Sequence, residues 1–306
     1  MLGYVVRRLL ISIPILLLVV TMVFFAFQLI PGDPARMYAG EQASAEVVER
    51  LRHDLGLDRP VFEQYVAYLG RLSRGDLGDS IFTRRPVMTE IQGRFWNTVK
   101  LSLSAIALAS VAGIGLGTVA AMSRGRLWDH VASVVALLGI SIPVFWLGLL
   151  LMYVFSLLLG ILPTAGDDGW RNYIMPTITL AVFSLAFIAR MTRSSLLEAI
   201  GQDYVRTARA KGVTERSALI QHALRNALLP IVTVVGLRFG YMLGGAVITE
   251  QVFAWPGMGR LLVTAVSQRD IPVVQGVLLV FAASFVLVNL AVDIAYGFVD
   301  PRIRHQ

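Results

Sequence analysis

The chain is constrained first by uncharged apolar runs of about 20 residues that recur along its length, each long enough to cross the roughly 30 Å hydrocarbon core of a bilayer as a helix. The runs cover residues 9–30, 101–122, 131–163, 174–189, 228–249 and 273–299. The third is too long for one untilted span and too short for two, so it predicts one span followed by a short segment. Arg238 interrupts the fifth run and Asp293 the sixth. With 56% apolar and only 15% charged residues, the chain departs from soluble-domain composition in the direction these runs require. It is too apolar to be disordered. It contains no cysteine, which excludes disulfide scaffolds, thiolate catalysis and Cys-ligated metal sites. The expected fold class is therefore an all-α polytopic membrane protein with six transmembrane helices.

An even number of spans puts both termini on one side. Arg7 and Arg8 precede the first span, Arg124 and Arg126 follow the second, and Arg302 and Arg304 follow the sixth. Arg190, Arg193, Arg206, Arg209, Lys211, Arg216 and Arg225 follow the fourth. The short loops opposite hold only Arg171, Arg260 and Arg269. The positive-inside rule then predicts cytoplasmic termini and a cytoplasmic 190–227 loop. It also accounts for the net charge of +7 without nucleic acid, since no basic stripe is interleaved with aromatic residues. The first apolar run exceeds the 7–15 residues of a cleavable signal, so it reads as a retained span. The resulting division is residues 1–30 as N-terminus and first span, 31–98 as an extracytoplasmic helical segment, 99–299 as the core with its cytoplasmic loop, and 300–306 as a cytoplasmic tail.

In the external segment, Pro31-Gly32-Asp33-Pro34 stops the first helix. Ser44 caps a helix ended by Gly56, and Pro60 opens another ended by Gly75. The segment reads either as a cap over the outer helix ends or as a docking surface for an extracytoplasmic partner. In the 190–227 loop, residues 204–211 form a short helix with small Ala faces and Arg tips, turned by Gly212. Thr214 caps a second helix through residue 224, with Glu215 in its first turn. The loop reads either as an ordinary positive-inside connection or as a small helix shaped for a groove on another protein.

Catalytic chemistry has no foothold. There is no phosphate-cradling G-x-x-x-x-G-K-[ST], no H-E-x-x-H and no G-x-S-x-G. His53, His130, His222 and His305 are scattered, and no catalytic, metal or cofactor site is expected. Arg238 stands out because a cation in mid-span is costly and faces a cavity or a partner. A translocation-path role, an ion pair with a neighbouring helix and simple snorkelling all fit it. Asp293 reads as a solvated or capping residue. The glycines at 113, 115 and 117 and at 236, 240 and 244 read as close-packing positions, and Pro143 as a bend.

The motifs resemble a known family. Asp203-Tyr-Val-Arg-Thr-Ala-Arg-Ala-Lys-Gly212, followed by His222-Ala-Leu-Arg-Asn-Ala-Leu-Leu-Pro230, is similar to the cytoplasmic signature of binding-protein-dependent ABC importer permeases. Arg206, Thr207 and Ala208 replace the usual Glu-Ala-Ala, and Leu229-Pro230 comes late; both departures are typical of the dipeptide/oligopeptide/nickel branch, which also includes glutathione transporters. Leu55-Gly56-Leu57-Asp58 with Pro60, Gly75-Asp76-Leu77-Gly78, Glu250 with Trp255-Pro256-Gly257, and Asp300-Pro301-Arg302 resemble the first permease of a pair in that branch. The resemblance implies a type I ABC importer permease fold with no enzymatic activity of its own. It implies four kinds of partner: a second permease, two ATPase subunits, an extracytoplasmic solute-binding protein and the lipid bilayer. It also implies that Arg206, Thr207, Ala208, Arg209, Ala210, Lys211, Gly212 and Val213 form the ATPase-coupling region. The cargo it implies is a dipeptide or oligopeptide, with glutathione or chelated nickel as alternatives. The short loop at 163–172 tilts toward glutathione or another small peptide. Arg238 departs from the branch, where an uncharged polar residue is commoner. Outside this family the alternative is a stand-alone channel or secondary transporter.

Overall fold

A computed structural model describes residues 2–29, 33–40, 42–214 and 217–299. The described residues form twelve α-helices and two short π-helical turns. Pro31, Gly32, Glu215, Arg216 and the 300–306 tail, on which several of the expectations above fall, lie outside them.

Helix α1 (Leu2–Gln28) is the first long apolar rod. Three short helices follow: α2 (Pro34–Ala39), α3 (Ala45–Asp54) and α4 (Val61–Leu72). The Ser44 cap is present, with its hydroxyl accepting from the Val47 amide, and Gly56 and Gly75 take the positive φ angles (66° and 77°) that release the chain from α3 and α4. These helices settle on the ends of the long rods. Phe24 of α1 packs against Tyr65 and Tyr68 at ring separations of 5.3 and 5.4 Å, and the Thr21 and Tyr65 hydroxyls lie 2.6 Å apart. Asp270 clamps the far end of the segment, accepting from the Ser80 hydroxyl and from the Ile81 and Phe82 amides.

Helix α5 (Val87–Met122) starts well before residue 101, because Val87 and Ile91 are apolar and buried in one cluster with Val273, Val274 and Val277. Charged residues in its first turns hid this extension; Glu90 and Arg94 are partnered on its surface at 2.6 Å. The long third run becomes two arms, α6 (Leu127–Ser141) and α7 (Val144–Leu151), the latter continued by a π-helical turn (Met152–Leu158). The arms meet at 103°. Pro143 has no amide to donate and forces Ile142 into extended backbone, so the helix cannot pass through. A 15-residue arm is about 22 Å long and cannot cross alone, so the third run is a sharply bent pair of helices instead of the single span with a short following segment that its length predicts. Five further helices meet the length and polarity needed to cross: α1, α5, α8 (Trp170–Ile200), α10 (Arg225–Val252) and α12 (Ile271–Val299). Between α8 and α10 lie α9 (Asp203–Ala210) and a π-helical turn (Ala218–Leu224), and α11 (Met258–Ser267) joins α10 to α12.

Glycine faces bring the rods together. A Cβ on Gly113 would meet Ile188 at 2.9 Å, and one on Gly117 would overlap the Ala189 carbonyl oxygen, so α5 and α8 touch almost backbone to backbone. Gly236 and Gly240 of α10 seat Val292 and Phe285 of α12 in the same manner. Gly115 and Gly244, which the spacing placed in the same sets, meet no neighbouring atom among the described residues.

Candidate coupling and translocation site

The apolar part of α8 ends near residue 189, yet the helix continues to Ile200, so the first part of the expected loop is a rigid extension of the span. Asp129 of α6 braces that extension. It is buried, accepts two hydrogen bonds from the Arg193 guanidinium at 2.6 and 2.8 Å, and takes the Gly125 amide at 3.0 Å. A bidentate Arg–carboxylate pair fixes orientation as well as distance.

Beyond a turn at Gly201 and Gln202 comes α9. Val205 is fully buried and Ala208 nearly so, one helical turn apart on the face that rests on the π-helical turn and the main core. Arg206, Thr207, Arg209, Ala210, Lys211 and Gly212 are exposed, whereas Val213 is half-buried beside the same core. Ala208 and Val213, two of the residues assigned to coupling, thus hold α9 to its own bundle, and the other six form its outer surface. Gly212, at φ 83°, donates to Arg209, and Val213 donates to Ala208 at 3.2 Å, the paired bonds of a glycine-terminated helix. The second helix expected from Thr214 begins in the π-helical turn, whose first residue, Ala218, donates to the Thr214 carbonyl. It does not stop at residue 224 but runs on into α10.

Arg238 lies midway along α10. Its guanidinium carbon is 3.6 Å from the centre of the Phe187 ring and 5.4 Å from that of Phe183, both on α8. Arg190 approaches the same Phe187 ring at 5.2 Å. Arg238, Phe187 and Arg190, with Tyr241 and Phe285, line a cleft of about 530 Å³. Asp293 is half-buried and pairs with Arg8 of α1 at 2.8 Å, which replaces the expected solvated or capping role with a tie between the first and last rods.

At the end of α10 away from α9 is a polar knot that residue patterns did not single out as a site. Glu250 is completely buried; its carboxylate accepts from the Thr98 hydroxyl at 2.6 Å and the Arg260 amide at 3.1 Å. Thr98 also accepts from the Met258 amide, and the Trp255 indole donates to the Asn97 carbonyl. A Cβ on Gly257 or Gly259 would overlap the Glu250 carboxylate or the Val247 backbone, so both glycines are required by that side chain. Ala254 adopts a left-handed φ of 49°, held between buried Phe253 and Trp255. An acid at the end of an apolar run followed by Trp-Pro-Gly-x-Gly was the available signal. Replacing Glu250 with alanine strands Thr98 and the Arg260 amide and is expected to lower the apparent melting temperature of the detergent-extracted protein by about 5 °C or more, whereas Glu250→Gln, which keeps an acceptor, costs less. Equal melting of the two variants would refute this.

Residues 113–305 match the model of the family described as binding-protein-dependent transport system inner membrane component, and residues 1–102 match its N-terminal companion. The chain belongs to this family. It is a permease subunit of an ABC importer: a multi-pass inner-membrane protein with no enzymatic role, in a machine that also has ATPase and binding-protein components. Among its relatives is the glutathione transport system permease protein GsiC. The permease is 47% identical to the protein of that name from Escherichia coli O6:H1 (strain CFT073) and 46% identical to that of Escherichia coli (strain K12), in each case over 306 residues covering all of both chains. The fold is similar to that in the inward-facing MetNI methionine ABC transporter, with a TM-score of 0.61 at 21% identity over 70% of this permease and 97% of the solved chain. An amino acid ABC transporter solved with histidines gives 0.53 at 20% identity, covering 70% and 94%.

Proposed function

We propose that this permease forms half of a translocation path for short peptides, glutathione foremost, and that it works with a second permease, two ATPase subunits and an extracytoplasmic binding protein. The observation that carries the coupling part is α9: a short helix with a cationic outer surface, fastened by Val205 and Ala208 to the junction of α8 and α10. A helix so fastened transmits force. When ATP draws the ATPases together, Arg206, Thr207, Arg209, Ala210, Lys211 and Gly212 move with the surface they rest on. The α8 extension, braced by Asp129–Arg193, and the continuous rod of α10 carry that displacement into the membrane as rigid-body motion. In this reading the termini and α9 are cytoplasmic, Arg238 lines the path, and the 31–98 segment seats the binding protein. The glutathione part is supported by full-length similarity to permeases that carry that name. Cells lacking this chain, supplied with glutathione as their only sulfur source, are expected to lose growth and uptake of labelled glutathione, both restored by the unaltered chain. Intact glutathione uptake with loss of dipeptide uptake instead would assign the path to other peptides.

A further inference from the structure

The acids within the apolar rods already have partners. Asp129 is bound by Arg193, Asp293 by Arg8, and Glu250 by Thr98 and the Arg260 amide. Arg238 and Arg190 have no such partner: neither makes an ion pair among the described residues, and no acidic side chain lines their cleft. Two cations held at one aromatic ring repel each other, and Arg238, half-buried midway along α10, has given up part of its water, while Arg190 sits exposed at the rim of the cleft. Attraction to the ring offsets only part of that cost. An anion placed between them would offset the rest. The cleft, about 530 Å³, falls within the usual range for small-molecule sites, and it adds the Tyr241 and Ser194 side chains as hydroxyl donors beside the cations.

We infer that Arg190 and Arg238, held against Phe187, form a subsite for the carboxylate of the peptide in transit. A guanidinium presents a planar fork of N–H groups that suits a carboxylate, and a hydrogen bond between two charged groups is stronger than one between neutral groups. Phe187 holds both guanidinium groups at one ring, so less ordering is required when a carboxylate arrives. The subsite rests on the proposal that the cargo is a short peptide, and it goes further by assigning the cargo's negative end to named residues.

The test uses the assembled transporter in cells, measuring initial uptake rates of a neutral-side-chain dipeptide against its C-terminal amide and of glutathione against its glycyl amide. Each cargo is compared with itself in the unaltered complex, so the preference of the binding protein cancels. Arg238→Gln and Arg190→Gln are expected to reduce uptake of the free-acid dipeptide by about ten-fold or more, the scale of one lost charge-assisted hydrogen bond, and to leave the amide nearly unchanged. Arg238→Lys is expected to fall between. Free acid and amide falling together would overturn the subsite, as would neither falling. Failure of the Arg238→Gln complex to co-purify would also overturn it, because the arginine would then be pairing with an acid of the second permease. An unaltered complex that moves the dipeptide but no glutathione would refute the glutathione assignment alone and leave the carboxylate subsite to the dipeptide pair.

Discussion

Gly117→Leu is expected to yield almost no folded permease in the membrane, while Gly115→Leu, two residues along the same helix, is expected to accumulate normally. A side chain at 117 would enter the Ala189 carbonyl and the Thr192 Cβ and press on the Arg193 backbone. None of these is the yielding tip of a long side chain. Relief therefore requires α5 and α8 to separate along their shared face, which also carries Gly113 against Ile188. Overpacking a close interior costs about 1–3 kcal/mol when side chains can shift, and more where backbone must. Displacement at Thr192 and Arg193 would also disturb the Asp129–Arg193 brace, adding the cost of an uncompensated buried carboxylate. Among the described residues nothing lies within 4 Å of a Cβ at Gly115. The measurement is the amount and thermal stability of detergent-extracted protein for the two variants. Equal yields would mean that the two helices do not approach as described.

That contrast shows where residue patterns stop being informative. Apolar run length identified the rods, because the cost of placing charges or unpaired amides in hydrocarbon acts on each segment alone. Glycine spacing said that helices approach closely but could not separate 117 from 115, since that depends on which face meets α8. Pro143 was readable as a bend, but the 103° break was not, because its size depends on how each arm packs. The pairs Asp129–Arg193 and Arg8–Asp293 join residues far apart in the chain, so their charges could only be counted for orientation and not matched. Glu250 stands at the end of an apolar run, where its position in the sequence does not reveal whether it is buried. Its burial depends on Thr98, which belongs to a different rod. The inward face of α9 was legible in principle: Val205 and Ala208 are apolar and one turn apart in a segment otherwise rich in polar residues.

Gly212→Leu is expected to abolish ATP-driven uptake while leaving the permease itself inserted, folded and extractable. No atom of the described residues lies within 4 Å of a Cβ at Gly212, so the substitution meets no clash among them. Its cost among the described residues is the left-handed backbone at φ 83°, about 1–2 kcal/mol for a residue with a side chain. That cost can loosen the turn that ends α9, but the helix keeps its buried anchors, Val205 and Ala208. A large loss must therefore arise outside the chain, where a leucine side chain would project from the exposed end of α9 into whatever surface α9 rests on. Three measurements separate the causes. Protein level and melting temperature report the permease alone, co-purification of the ATPase subunits reports docking, and uptake with ATPase activity reports coupling. The expected pattern is a near-normal level, a melting temperature within a few degrees, and at least ten-fold lower uptake with weakened co-purification or with hydrolysis no longer stimulated by the loaded binding protein. Gly212→Ala, which carries the same backbone cost and a far smaller projection, is expected to retain much more activity. If alanine and leucine were equally inactive, the backbone turn alone would be responsible. If leucine transported normally, α9 would not be the element that the motor moves.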